Sequence, residues 1–222
     1  MSTILILGAS RGIGLALAKE YRAAGWKVFA SARQEADIAH LNALGMQAFS
    51  CDVTDVNDVA ALGWRLDDEK IDVAILNAGV MSNWTQNLDT PSAEDFHHVM
   101  HTNVLAAMRI LPIIGPMVDA SRGTLAVISS RMGSLSLREA ADGWLYRASK
   151  AALNSVLLDV AHSFPAMTSV ALHPGWVRTD MGGDNATLSP EQSAAGIRAT
   201  LAKLTRQDNG SFYNYDGKRL TW

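Results

Sequence analysis

Short runs with an apolar centre recur along this 222-residue chain, and most are followed by a longer stretch of helical period. Thr3–Leu7, Trp26–Ala30, Gln47–Ser50, Asp72–Leu76, Gly123–Ser129 and Thr168–Leu172 read as strands, with a last short one at Ser211–Tyr213. A strand with one wet face alternates apolar and polar residues, whereas one that is apolar throughout is covered on both faces. Helices fit between them: about Gly12–Ala24, with Gly25 closing it, Asp55–Leu66, Ser92 past Asn103 towards Ile110, Gly143–Ser163, and one from Ser189-Pro190-Glu191. Ser92 is placed to cap a first turn made acidic by Glu94 and Asp95. A β-α unit repeated about six times predicts one α/β domain over residues 1–222, a Rossmann-type doubly wound parallel sheet.

Composition narrows the partners. With 19 Lys+Arg against 22 Asp+Glu, the formal charge is 19 − 22 = −3, which supplies no basic stripe for nucleic acid or an anionic membrane. The apolar run around Ile110–Val118 is interrupted by Pro112, Gly115 and Pro116, and falls short of the ~18 residues of a spanning helix. Met1-Ser2-Thr3 lacks the basic start of an export signal. The lone cysteine, Cys51, precludes an internal disulfide, and a cytoplasmic setting is expected.

The first strand runs directly into Gly8-Ala9-Ser10-Arg11-Gly12-Ile13-Gly14. A glycine turn lets the chain reverse, and a backbone without side chains lets a pyrophosphate reach the free amides and positive dipole of a helix N-terminus. Position at the start of a βαβ pattern is what separates this from an ordinary glycine-rich turn. An NAD site places an acid at the end of the second strand, where this chain has Ser31-Ala32-Arg33. Arg33 and Arg11 suit a 2′-phosphate, so NADP(H) is favoured over NAD(H), with Glu35 or Asp37 as the acidic alternative.

Tyr146-Arg147-Ala148-Ser149-Lys150 puts a phenol and an ammonium on one helix face, four positions apart. A phenol of pKa ~10 is a poor acid near neutrality until a neighbouring cation stabilises its phenolate. The pair follows Ser129-Ser130 at a strand's C-terminal end, where open α/β sheets bind ligands.

These motifs resemble the short-chain dehydrogenase/reductase family over the whole chain: the Gly8, Gly12, Gly14 loop, Asp52, Asn77-Ala78-Gly79, Asn103, Ser130, Tyr146, Lys150 and Pro174-Gly175. The stretches 129–134, 146–154 and 173–183 and the terminal Trp222 are similar to its C-factor and sniffer-like carbonyl-reductase subgroup. The resemblance implies reduction of a small-molecule carbonyl to an alcohol, with Tyr146 as proton donor. Lys150 would hold the nicotinamide ribose and depress the tyrosine pKa, Ser130 would bond the carbonyl, and Asn103 would anchor a water. Gly8, Ser10, Arg11, Gly12, Ile13, Gly14 and Arg33 would carry the phosphates, and Asp52 and Val53 the adenine. Asn77, Ala78 and Gly79 would line the adenine ribose, and Pro174, Gly175, Val177 and Thr179 the carboxamide end. It also implies a homodimer or homotetramer, paired through the helices at Ser92–Pro112 and Gly143–Ser163.

Two departures bear on the substrate. The Ser130–Tyr146 interval exceeds the family's commonest one, so Ser134 and Ser136 are alternatives to Ser130; Ser130 is preferred because it ends the strand. The segment after Thr179, with Met181-Gly182-Gly183, is short and predicts an open pocket. Trp84, Trp144 and Trp176 either wall that pocket or anchor loops. His97, His98 and His101 lack a third ligand at metal spacing, and no metal is expected. The rival to an enzyme is a dinucleotide-binding signalling or sensor protein with vestigial catalysis.

Overall fold

The computed structural model describes residues 1–67, 69–81 and 88–222. Its strands are β1 (Thr3–Leu7), β2 (Lys27–Ala32), β3 (Gln47–Ser50), β4 (Val73–Leu76), β5 (Thr124–Ile128), β6 (Thr168–His173), β7 (Ser211–Asn214) and β8 (Arg219–Leu220). They form one sheet in the order β3-β2-β1-β4-β5-β6-β7-β8, parallel except for the β7–β8 pair. The helices are α1 (Gly12–Ala23), α2 (Glu35–Ala43), α3 (Val56–Arg65), α4 (Ala93–Met100), α5 (Ala106–Ala120), α6 (Trp144–Ser163) and α7 (Pro190–Leu201). A π turn, His101–Leu105, joins α4 to α5.

Every residue of β1 is buried, as a central strand covered on both faces requires. Side chains alternate across a strand, so Leu5 and Leu7 meet Leu62, Ile110, Ile114 and Leu157 of α3, α5 and α6. Ile4 and Ile6 meet Leu17, Leu41 and Ile197 of α1, α2 and α7 on the other face. Each such fully buried side chain contributes roughly 1.5–3 kcal/mol. After β3 the chain returns across β1 to lay down β4, and winding continues in the opposite direction. The loops after β1 and β4 therefore part at the strands' C-terminal ends and leave a crevice.

Helix ends follow the expected chemistry. Gly25, at φ +82°, donates its N–H to the Arg22 carbonyl at 3.0 Å beyond the end of α1. Ser92 accepts from the Asp95 amide at 2.9 Å, and Ser189 forms a capping box with Gln192. Three elements differ from the sequence reading. α2 was missed because Leu41 is its one buried residue, which leaves almost no periodic signal. β8 is too short to show a period. α5 runs through Pro112 and Pro116 to Ala120, although each proline removes a helix hydrogen bond. Burial of Ile110, Leu111, Ile114 and Val118 holds that helix together. The span Ala93–Ala120 is long and apolar enough by composition to cross a membrane, but its apolar side is already spent in the core.

Candidate active site

A cleft of about 1010 Å³ runs along the C-terminal ends of the strands, from Arg33 and Asp52 at one end to Tyr146 and Lys150 at the other. Gly8, at φ +91°, turns the chain out of β1, and a Cβ there would lie 2.9 Å from the Ala78 backbone. The Asn77 side-chain amide donates to the Gly8 carbonyl at 2.7 Å, which ties the β4 loop to the glycine loop. α1 starts with no side-chain cap and no acidic residue in its first turn, so its amides and dipole face the cleft uncompensated. That donor set fits a pyrophosphate, and the cleft as a whole fits a nicotinamide dinucleotide.

Gly14 lies behind the wall rather than on it. A Cβ there would stand 2.0 Å from the Gly8 carbonyl oxygen and 2.6 Å from the Asn77 amide, so its role is close packing of helix on loop. Gly14→Ala is expected to cost about 1–3 kcal/mol through overpacking, lowering Tm by several degrees. Cofactor affinity should fall at least tenfold with it, by thermal melting and NADPH titration. An unchanged melting curve would contradict this packing role.

Along the cleft wall, Arg33 lies 4.0 Å from the Asp52 carboxylate, and Arg11 pairs with Asp180 at 2.8 Å. Both guanidiniums are exposed on the cleft wall, and Asp37 also lines it, whereas Glu35 does not. Partial burial opposes ionisation of Asp52, but hydrogen bonds from the Thr54 hydroxyl (2.7 Å) and amide (2.9 Å), with Arg33 and His101 nearby, hold it below the usual carboxylate value. The end of β2 carries no carboxylate: Ser31 accepts the Gly8 amide through its hydroxyl at 3.0 Å.

Tyr146 and Lys150 lie one turn apart on α6, the Lys150 Nζ 5.6 Å from the phenol ring centre. Lys150 is buried and donates to the Ile128 carbonyl at 2.9 Å. Burial pushes its ammonium down to about 8. Burial likewise pushes the Tyr146 phenol up to about 12, with the Ser130 hydroxyl drawing it back. The Ser130 Oγ accepts the Met132 amide at 3.1 Å, so its own hydrogen is left to donate. The Ser134 and Ser136 hydroxyls have partners at Thr221. Ser134 donates to the Thr221 carbonyl at 2.8 Å, and the Ser136 amide donates to Trp222 O at 3.1 Å.

Asn103 is buried in the π turn, and its side chain is committed. Its amide hydrogens go to Val80 O (2.8 Å) and Ser149 Oγ (3.0 Å), and its Oδ1 accepts the Val80 amide (2.8 Å). The side chain thus braces the loop after β4, and its N–H groups are not available to a water. Ser10, Gly12, Ile13, Val53, Ala78, Gly79, Pro174 and Thr179 line the cleft as the motifs imply. Gly175 and Val177 stand behind its wall, and the Ser130 hydroxyl faces the Tyr146 phenol. At Gly175, φ +85°, a Cβ would strike Leu188 at 2.4 Å, so that glycine serves the turn.

Of the tryptophans, Trp84 lies outside the described residues. Trp144 and Trp176 anchor loops, donating to Asp89 O (3.0 Å) and Gly182 O (2.9 Å). The short segment after Thr179 does not leave the reacting end bare, since Met181 Sδ takes a weak 3.9 Å contact from the Tyr146 hydroxyl. Sequence reasoning missed Asp180 and Met181, because loop geometry alone brings them to the site. His97 and His101, with rings 5.1 Å apart, line the cleft, and His101 Nε2 faces Arg109 at 3.2 Å. Among the described residues no three His, Cys, Asp or Glu side chains gather for an ion.

A sequence profile of the short chain dehydrogenase family matches residues 2–188. The 1-hydroxy-2-glutathionyl-2-methyl-3-butene dehydrogenase of Rhodococcus sp. (strain AD45) is 32% identical over 231 aligned residues that cover 100% of both chains. A carbonyl reductase from Pseudomonas aeruginosa PAO1, solved in complex with NADP, is 37% identical, with a TM-score of 0.88 and 100% of both chains covered. The carbonyl reductase Sniffer of D. melanogaster superposes with a TM-score of 0.89 at 28% identity, again over 100% of both chains.

Proposed function

The chain belongs to the short chain dehydrogenase family of nicotinamide-dependent oxidoreductases, and on that premise we propose that it reduces a carbonyl to an alcohol with NADPH, Tyr146 donating the proton. The observation that carries this reading is the phenol of Tyr146 beside buried Lys150 and the donating hydroxyl of Ser130, at the end of a cleft that starts on the uncapped α1. Ser130 hydrogen-bonds the carbonyl oxygen and stabilises the charge that grows there, an oxyanion-type contribution. Tyr146 passes its proton to that oxygen. The Lys150 ammonium, when charged, stabilises the phenolate that remains and so makes the phenol a stronger acid. Bound NADPH supplies the hydride. The Asn103 carboxamide keeps Gly79–Val80 and Ser149 in register around the lysine.

The signalling or sensor alternative calls for a damaged catalytic set, and the presence of Asn103, Ser130, Tyr146 and Lys150 in the chain supports the enzyme over it. NADPH oxidation measured against a panel of aldehydes, ketones, quinones and pteridines tests the reading. Binding without turnover on any of them would favour the sensor. A cytoplasmic reaction accords with the buried, lone Cys51. Assembly as a homodimer or homotetramer accords with Leu105 and Met108, exposed where the long helix faces outward; light scattering that finds a monomer would overturn it.

For the cofactor, the two guanidiniums on the cleft wall support NADP(H) over NAD(H). Arg33→Ala is expected to weaken NADPH binding by about tenfold, roughly 1.4 kcal/mol, while NADH affinity changes little. Fluorescence titration of both cofactors reads this directly, and parallel losses would assign Arg33 no part in phosphate selection.

A further inference from the structure

The residues after β8 contact the loop that carries Ser130, and nothing in the proposed reaction uses them. Ser134 is fully buried; its hydroxyl donates to the Thr221 carbonyl at 2.8 Å and accepts the Leu137 amide at 3.1 Å. The Ser136 amide donates to Trp222 O at 3.1 Å, and its hydroxyl meets that of Thr221. The Trp222 ring in turn stacks on Phe212 of β7, 5.3 Å between centres and 16° from parallel. Phe212 is wholly buried, so the stack fixes Trp222 to the sheet.

On its other side the same loop abuts the catalytic groups. Residues Arg131–Gly133 form a single 3-10 turn whose first amides are held by Ser130: Oγ accepts from Met132 at 3.1 Å, and the Ser130 carbonyl accepts from Gly133 at 2.8 Å. Gly133 is pressed against α6, where a Cβ would come within 2.8 Å of the Lys150 backbone. A 3-10 turn has poorer hydrogen-bond geometry than an α-helix, so the groups packed on it bear on its orientation. α6 packs against the turn itself, and the Thr221–Trp222 segment bonds the residues just after it, Ser134 and Ser136.

We propose that Thr221 and Trp222 act as a strap which, through Ser134 and Ser136, sets the direction of the Ser130 hydroxyl towards Tyr146. Ser134, Ser136, Thr221 and Trp222 are positioning residues that touch neither substrate nor cofactor. The idea rests on the proposed carbonyl reduction, and it explains why the loop between Ser130 and Tyr146 is long. The extra residues reach the edge of the sheet and take their alignment from it. A misplacement on the ångström scale is costly to a reaction that needs aligned donors.

The test uses the full chain carrying Ser134→Ala, Trp222→Ala or Trp222→Phe, and a chain ended after Leu220. Steady-state kinetics, NADPH titration and alkaline difference absorbance of the Tyr146 phenol, taken against Tyr146→Phe, are read on each. Ser134→Ala, Trp222→Ala and the shortened chain should lose roughly tenfold in kcat, with the NADPH dissociation constant unchanged within about twofold. Their phenol should titrate at higher pH, since a misdirected Ser130 no longer favours the phenolate. Trp222→Phe, which keeps a ring to stack on Phe212, should restore most of the loss. Unchanged kcat in all four overturns the strap. So does a fall in kcat matched by an equal loss of NADPH affinity, which is the mark of general loosening. If the unaltered chain reduces no carbonyl at all, the functional reading fails, and the phenol titration decides the strap alone: an upward shift supports it, and none overturns it.

Discussion

Tyr146→Phe is expected to lower kcat by roughly 10²- to 10⁴-fold, the range that a positioned general acid contributes, and to leave NADPH affinity within about threefold. The substitution keeps the ring, which is buried at the end of the cleft, and removes only the hydroxyl. The Lys150 contact to Ile128 O does not involve the phenol, so the cofactor side of the site should stand. With burial pushing the phenol up to about 12, Tyr146 is protonated across the neutral range and available as an acid in the reductive direction. Stopped-flow or steady-state NADPH oxidation, paired with a fluorescence titration, separates chemistry from binding. Turnover within tenfold of the unaltered chain would show that another group delivers the proton.

Lys150→Met should separate activity from stability. The ammonium is buried with one carbonyl partner, and its pKa falls from 10.5 to about 8. Between those values the unfolded chain binds the proton that the folded chain has lost, so stability rises with pH across that window. Below about pH 8 both states carry the charge, and the full burial cost stands. From the two values this cost is on the order of 3 kcal/mol. Methionine removes it, but leaves Ile128 O without a donor, a loss of about 1–3 kcal/mol. The variant is therefore expected to be at least as stable as the parent at pH 7, and to lose the rise in stability above pH 8. Its kcat should fall by roughly 10²-fold or more as the phenolate loses its cation. The parent's reductive rate should decline above about pH 8, where Lys150 loses its proton, and the variant should lack that limb. Thermal melting and kcat across pH 6–10 check both. A variant much less stable at pH 7 would mean that the ammonium gains more in the fold than its burial costs.

How much of this was legible beforehand depended on the range of the interaction. Strands apolar on both faces, the glycine turn after β1 and the four-residue spacing of Tyr146 and Lys150 are local patterns, and they foretold a doubly wound sheet and a phenol beside an ammonium. Short or weakly amphipathic pieces such as α2 and β8 left no local signal, since one buried leucine or one antiparallel pair makes no period. Pro112 and Pro116 gave the wrong local signal, because tertiary burial outweighed the lost hydrogen bonds.

The site divides along the same line. Residue types and spacings determined that Gly8, Gly12, Tyr146 and Lys150 would share one cleft, because a parallel sheet must gather its strand ends. Only the tertiary structure gave Ser130, Ser134 and Ser136 different partners. Three hydroxyls so close in sequence have the same chemistry until folding gives each its partners, the neighbouring Met132 amide for Ser130 and the distant Thr221 for Ser134 and Ser136. It also assigned Gly14 and the Asn103 side chain to packing and bracing, and paired Arg11 with Asp180, a contact between two loops 169 positions apart (180 − 11). Such contacts depend on how loops far apart in the chain come to rest against each other, which no spacing along the chain encodes.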